Sequence, residues 1–234
     1  MKLLTISDLH GLTTWKQADF SAHDRVVFLG DYTDSFVVDD VTIFNNLSEI
    51  IQLKRRQPTK FVLLIGNHDA QYLHFPHYRC SGFRAWAQPA LSTLFTKYEG
   101  LFQIAHQKGP YLFTHAGVSS RWFSKLLAKT QTDEHTVTPG FDVANLLNEV
   151  HRQSLRLRNV LFEVGPKRGG MDSFSGLVWA DRDETRAEFL PGYYQVVGHT
   201  PIDDITTYGD GAGSITFTDV LETRTRFYEI AIPD

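Results

Sequence analysis

The chain has 234 residues, 42% hydrophobic and 21% charged, which is enough for a large buried core in the ordinary globular range. Its formal charge of -4 provides no general basic field for nucleic acid or an anionic membrane, and no run reaches the roughly 20 apolar residues of a membrane span. A single cysteine, Cys80, excludes an internal disulfide framework and fits a reducing compartment; with an opening run, MKLLTISDLHG, too briefly apolar for a signal peptide, the expected location is the cytoplasm.

Along the chain, short apolar runs predict strands, and five of them end in polar clusters. Lys2 to Ile6 lead into Ser7-Asp8-Leu9-His10-Gly11, Arg25 to Leu29 into Gly30-Asp31-Tyr32-Thr33-Asp34, and Phe61 to Ile65 into Gly66-Asn67-His68-Asp69. Later, Tyr111 to Thr114 lead into His115-Ala116-Gly117 and Tyr194 to Val197 into Gly198-His199-Thr200. Strands written as unbroken apolar runs belong to covered sheets, whose edges are where sites are built. Between them, Asp40 to Gln57 has Val41, Phe44, Leu47, Ile50 and Ile51 at helical spacing and stops at Pro58, with Asp39-Asp40 as its N-cap and Lys54-Arg55-Arg56 at its basic end. Ser119 to Lys129 and Val143 to Leu157 also predict helices. After Ile205 the pattern alternates, and Ser214 to Asp219 and Thr223 to Ile232 predict strands joined by a turn near Glu222. The expected fold is α/β, two packed mixed sheets flanked by helices, in one domain over residues 1–234 with a helical insertion at about 119–176.

Asp8, His10, Asp31, Asn67, His115 and His199 together offer imidazoles, carboxylates and an amide oxygen, a mixed set suited to borderline divalent metals. Any one of them alone is an ordinary turn former or hydrogen-bonding residue; the same strand-end position repeated five times is not. Two cations about 4 Å apart need one ligand that both can share, and Asp31 is the candidate carboxylate. His23, His74, His77, His106, His135 and His151 lack paired ligand spacing and are expected to be surface or packing residues, Trp179 to be packing, and Cys80 to be inert.

These clusters resemble the motifs of the calcineurin-like metallophosphoesterases. Asp8-Leu9-His10 is similar to their D-x-H, Gly30 to Asp34 to G-D-x-x-D, Gly66 to Asp69 to G-N-H-[DE], and His115 and Gly198-His199 to the two later histidine motifs. The resemblance implies a four-layer sandwich with a dinuclear centre at the strand ends, one ion on Asp8, His10 and Asp31 and the other on Asp31, Asn67, His115 and His199. It also implies that His68 is a catalytic acid and not a ligand. Gly198-His199-Thr200-Pro201 departs from the G-H-x-H of many phosphodiesterases in the family, and with Thr114 to Gly117 and Leu177-Val178-Trp179-Ala180-Asp181 it resembles the phosphoprotein-phosphatase-like branch, which includes enzymes acting on dinucleoside polyphosphates. That branch carries a phosphate-clamping Arg-Gly after G-D-x-x-D, where this chain has Ser35-Phe36.

The expected chemistry is hydrolysis of a phosphate ester. Two divalent ions, manganese first and iron, zinc, cobalt or nickel as alternatives, would lower the pKa of a bound water toward roughly 7 and supply a metal-bound hydroxide. His68 would protonate the leaving oxygen, a step contributing about 10²–10⁴-fold, and Asp34 is placed to orient that ring. Asn67 doubles as a phosphate contact. The segment 151–170 carries Arg152, Arg156, Arg158, Lys167 and Arg168; its plainest reading is a solvated basic surface, the alternative being that Arg168, with Arg182 as a second candidate, replaces the missing clamp. The expected partner is a phosphorylated substrate, whether phosphoprotein, nucleotide or dinucleoside polyphosphate. A nuclease and a non-catalytic binding protein are the weaker alternatives.

Overall fold

The structure, a computed structural model, describes residues 1–133, 135, 137 and 140–232. The strands, in chain order, are β1 Lys2–Ile6, β2 Arg25–Phe28, β3 Phe61–Leu64, β4 Phe102–Gln103, β5 Ala105–Lys108, β6 Tyr111–Thr114, β7 Tyr194–Val197, β8 Thr206–Asp210, β9 Gly213–Phe217 and β10 Tyr228–Ala231. The helices are α1 Asp40–Arg56, α2 Asn67–Leu73, α3 Gln88–Lys97, α4 Ser120–Thr130, α5 Val143–Arg152, α6 Leu155–Leu161 and α7 Arg182–Ala187. They form two compact units, one of Met1–Gln103, Pro201–Asp204 and Thr218–Asp234, the other of Ile104–Thr200 and Ile205–Phe217.

The first unit holds a five-stranded sheet in the order β10-β1-β2-β3-β4, with β1 to β4 parallel and β10 antiparallel on β1. All of β3 and nearly all of β1 and β2 are buried, as expected of parallel strands covered on both faces. Helix α1 starts where the Asp39 carboxylate accepts the Thr42 N–H and buries Ile43, Leu47, Ile50 and Ile51. Val41, expected on that apolar face, is 69% exposed. Lys54 is tied down as well: its ammonium donates to the carbonyls of Pro58 and Phe61, both at 2.8 Å.

The second unit holds a five-stranded sheet in the order β5-β6-β7-β9-β8, with β6, β7 and β9 parallel and β5 and β8 antiparallel at the edges. The α/β class with two mixed sheets and flanking helices is therefore as expected, but two details differ. The last two predicted strands are not a hairpin, since β9 pairs with β7 and β8 while β10 pairs with β1, Lys2 opposite Ala231. Alternation shows that a segment is a strand without naming its partner. The helix predicted over 143–157 is two helices. Gln153 is extended and Ser154 non-helical, and the Arg158 side chain reaches back to donate to the His151 carbonyl at 2.7 Å, satisfying an end that the chain then leaves. Arg152 and Arg156 thus belong to different helices and share no face. Of the proposed insertion over 119–176, residues 134, 136, 138 and 139 lie outside the described residues.

Candidate active site

In the first unit, the ends of β1, β2 and β3 deliver Asp8 and His10, Asp31 and Asp34, and Asn67 and His68. One buried carboxylate arranges two of these ends. Asp69 accepts the backbone N–H groups of Gly66 (3.0 Å), Asp31 (2.6 Å), Tyr32 (2.9 Å) and Thr33 (3.3 Å), and the Thr33 hydroxyl at 3.2 Å. Its bond from the Gly66 N–H caps the start of α2, where glycine has no side chain to return one. Gly66 has an ordinary φ of -96°; glycine is needed there for space, because a Cβ would lie 2.0 Å from Asp31 Oδ1. Among the described residues, six non-glycine residues have positive φ, and four of them are candidate site residues: His10, Asp31, Asp34 and His199. Such conformations cost free energy in most side chains and gather at functional sites.

Asp8, His10 and Asp31 place one donor atom each within 4.8 Å of one another, with Asp8 and Asp31 buried. The His10 Nδ1 sits 3.0 Å from the Thr33 carbonyl and 2.9 Å from that of Asp34, so Nδ1 donates there while Nε2 lies 3.8 Å from Asp31 Oδ2. Two buried carboxylates are an expensive grouping in a low-dielectric interior unless a cation joins them. The donor types fit a borderline divalent metal.

His68 is wired differently. Its Nδ1 lies 2.9 Å from Asp34 Oδ2, its backbone N–H donates to Asp31 Oδ1 at 3.0 Å, and its ring meets that of His10 edge-on at 5.0 Å. Asp34 also accepts from the Gln71 amide and the Tyr72 hydroxyl. Burial works against a charge on His68, but the Asp31 carboxylate and the Asp34 hydrogen bond, with Cys80 behind them, outweigh it and push its pKa up to about 12. Cations bound beside the ring act in the opposite sense. Cys80, distant in sequence from every motif, forms a cluster with Asp34 and His68, and burial, its leading influence, raises its pKa. A thiol held protonated is a poor nucleophile. Gln71, Tyr72 and Cys80 were missed as partners of this group, and for the first two helical spacing from His68 is the signal that could have found them.

In the second unit, β6 and β7 end in His115 and His199, whose Nε2 and Nδ1 face each other at 3.1 Å. The Gly198 N–H donates to the His115 carbonyl at 2.8 Å, extending the strand pairing to the motif itself. Trp179 packs edge-on against the His199 ring at 5.8 Å. Behind His115, the buried Gln195 amide bonds both backbone groups of Val118, at 2.8 and 2.9 Å. Arg168 donates to the Thr200 hydroxyl and lies 3.2 Å from the Asp181 carboxylate. Arg182 begins α7, half-exposed.

A family model described as calcineurin-like phosphoesterase matches residues 1–210. The chain belongs to that family. It is a metal-dependent phosphoesterase, a hydrolase of phosphate esters, in keeping with the His and Asp clusters that can hold metal ions. Two solved structures share the phosphoesterase's fold: a cold-active protein-tyrosine phosphatase from a psychrophilic Shewanella, 18% identical, covering 92% of this chain and 70% of its own at a TM-score of 0.53, and a protein serine/threonine phosphatase from Saccharomyces cerevisiae with similarity to human phosphatase PP5, 17% identical, covering 94% and 67% at 0.51. Among curated protein sequences the phosphoesterase has no match. Among its described residues, no helix is long and apolar enough to cross a membrane.

Proposed function

We propose that the phosphoesterase is a phosphatase acting on monoesters with two divalent cations, manganese first among them. One cation is assigned to Asp8, His10 and Asp31 and the other to Asp31, Asn67, His115 and His199, following the family's ligand pattern. When bound, such ions offset the charge of the phosphoryl oxygens and lower the pKa of water. The observation that carries the proposal is the His68–Asp34 pair: with Nδ1 committed to the carboxylate at 2.9 Å, Nε2 is left to give a proton to the leaving oxygen. Asp34 fixes the ring's tautomer and direction, itself held by Gln71 and Tyr72. Asn67 is a phosphate contact, and Arg168 and Arg182 are assigned to phosphoryl oxygens, Arg168 exchanging its pairing with Asp181. The family model's span over both units supports one domain over 1–234, and the single cysteine supports a reducing compartment, the cytoplasm. The runner-up, dinucleoside polyphosphate hydrolysis, is favoured by the Lys167-Arg168 turn beside Thr200.

Metal analysis and kinetics test this reading. Asp31→Asn should lower occupancy of both metal positions, whereas His199→Ala should empty chiefly one. His68→Asn should keep its metal and lose roughly 10²–10⁴-fold in turnover on an alkyl phosphate, and less on an aryl phosphate with a better leaving group. Two equivalents retained by Asp31→Asn would remove the bridge, and equal losses of His68→Asn on both esters would remove the acid.

A further inference from the structure

The first unit carries a cleft of about 450 Å³ whose walls include His10, Asp34, His68, Phe36, Val37 and Glu222. Phe36 is 91% exposed and Val37 88%, in the stretch where the phosphatase-like branch has its arginine. Large apolar side chains left bare at the mouth of a reactive cleft mark a surface that something else covers. The loop bearing them is built to hold them out. The Ser35 hydroxyl accepts the N–H groups of Val37 and Val38 at 3.2 and 3.1 Å, and the Arg84 guanidinium donates to the carbonyls of Ser35 and Val38, one on each side of the bare pair, while pairing with Asp40. Among the described residues no lysine or arginine lines this cleft, and Glu222 is part of its wall. A leaving group with phosphates of its own would meet a carboxylate there, whereas an uncharged ring would meet Phe36, Val37 and Leu12.

We propose that Phe36 and Val37 form the leaving-group subsite and that it takes an uncharged aromatic group, so that the substrate class is an aryl phosphate monoester such as a phosphotyrosyl side chain. The inference rests on His68 as the leaving group's proton donor, since that ring lines the same cleft. Water's oxygen bonds to phosphorus as the bond from phosphorus to the aryl oxygen breaks; the aryl oxygen takes its proton from His68, and the ring regains one from the attacking water. The products are a phenol and inorganic phosphate.

The test uses manganese-loaded protein, wild type and Phe36→Ala, in two assays. In the first, KM and kcat are measured on a phosphotyrosine peptide, the same peptide bearing phosphoserine, and ATP. In the second, calorimetry compares binding of phenylphosphonate with methylphosphonate, neither of which is hydrolysed. The wild type is expected to prefer phosphotyrosine to ATP and to bind phenylphosphonate about tenfold more tightly than methylphosphonate. Phe36→Ala should erase that tenfold preference and raise KM for phosphotyrosine at least fivefold more than for phosphoserine. Glu222→Gln should improve ATP hydrolysis relative to phosphotyrosine. Equal binding of the two phosphonates by the wild type, or a preference that survives Phe36→Ala, would overturn the subsite. Wild-type protein that shows the Phe36-dependent phosphonate preference yet hydrolyses no ester would uphold the subsite and overturn the proposed activity instead.

Discussion

In the first unit, the loops bearing Asp31 and Asn67 hang on one charged group, Asp69, which gathers four backbone N–H groups. In the second, the loop after His115 is held by a neutral one, Gln195, which answers the N–H and the C=O of Val118 as a neighbouring strand would. A buried carboxylate makes stronger hydrogen bonds than an amide but is tolerable only when several donors converge on it. The first arrangement therefore makes the positions of two candidate ligands depend on one another, while the second steadies a single loop.

Removing each anchor measures that difference. Asp69→Ala strands several buried donors together and is expected to cost about 4 kcal/mol in urea unfolding, with loss of bound metal. A loss below about 1 kcal/mol would show that Asp69 is no hub. A buried histidine in the second unit gives the next effect. His151 has its pKa lowered to about 4, by burial first and then by Arg158 and Arg152. It is thus neutral in the folded chain, and the unfolded chain takes up the extra proton as pH falls below its ordinary 6.5. Stability is full above that value and should fall by roughly 3 kcal/mol as pH drops to about 4. His151→Gln should flatten this part of the pH profile; an unaltered slope would mean that the ring is charged in the fold. Gln195→Leu leaves two neutral backbone groups unanswered and should cost about 2 kcal/mol by the same urea measurement. If it costs as much as Asp69→Ala, charge is not what separates the anchors. The smallest effect is expected from Tyr72→Phe, which takes one donor from Asp34 and should cost about 1 kcal/mol, with turnover on an alkyl phosphate reduced more than KM is changed. A change confined to KM would place Tyr72 with substrate binding and not with the His68 relay.

The strand ends were legible because each is an apolar run that breaks abruptly into ligand residue types, and a covered strand permits no other reading of Phe61 to Ile65. Within the same motif, Asp69 ties the Gly66 and Asp31 loops together through its bonds. What escaped reading depends on partners distant in sequence. Gly66 is glycine because Asp31 approaches it, Cys80 turns back onto His68 after α2, and β10 joins β1 from the far end of the chain. The break after Arg152 was hidden because Leu155 and Leu157 continue a helical spacing while Arg158 closes the preceding turn. At two residues, β4 is too short to show any period.

The left-handed backbone at His10, Asp34 and His199 has a consequence for any attempt to improve this protein. Glycine, and to a lesser degree asparagine, adopts that conformation with less strain, so at positions 10 and 199 the substitutions that ease the fold also delete candidate ligands, whereas at 34 the loss of the acceptor for His68, Gln71 and Tyr72 outweighs the relief. A library selected for melting temperature alone should collect glycine and asparagine at positions 10 and 199 and lose turnover as it gains stability. Holding these residues fixed while the rest of the chain varies would let thermal robustness and turnover rise together.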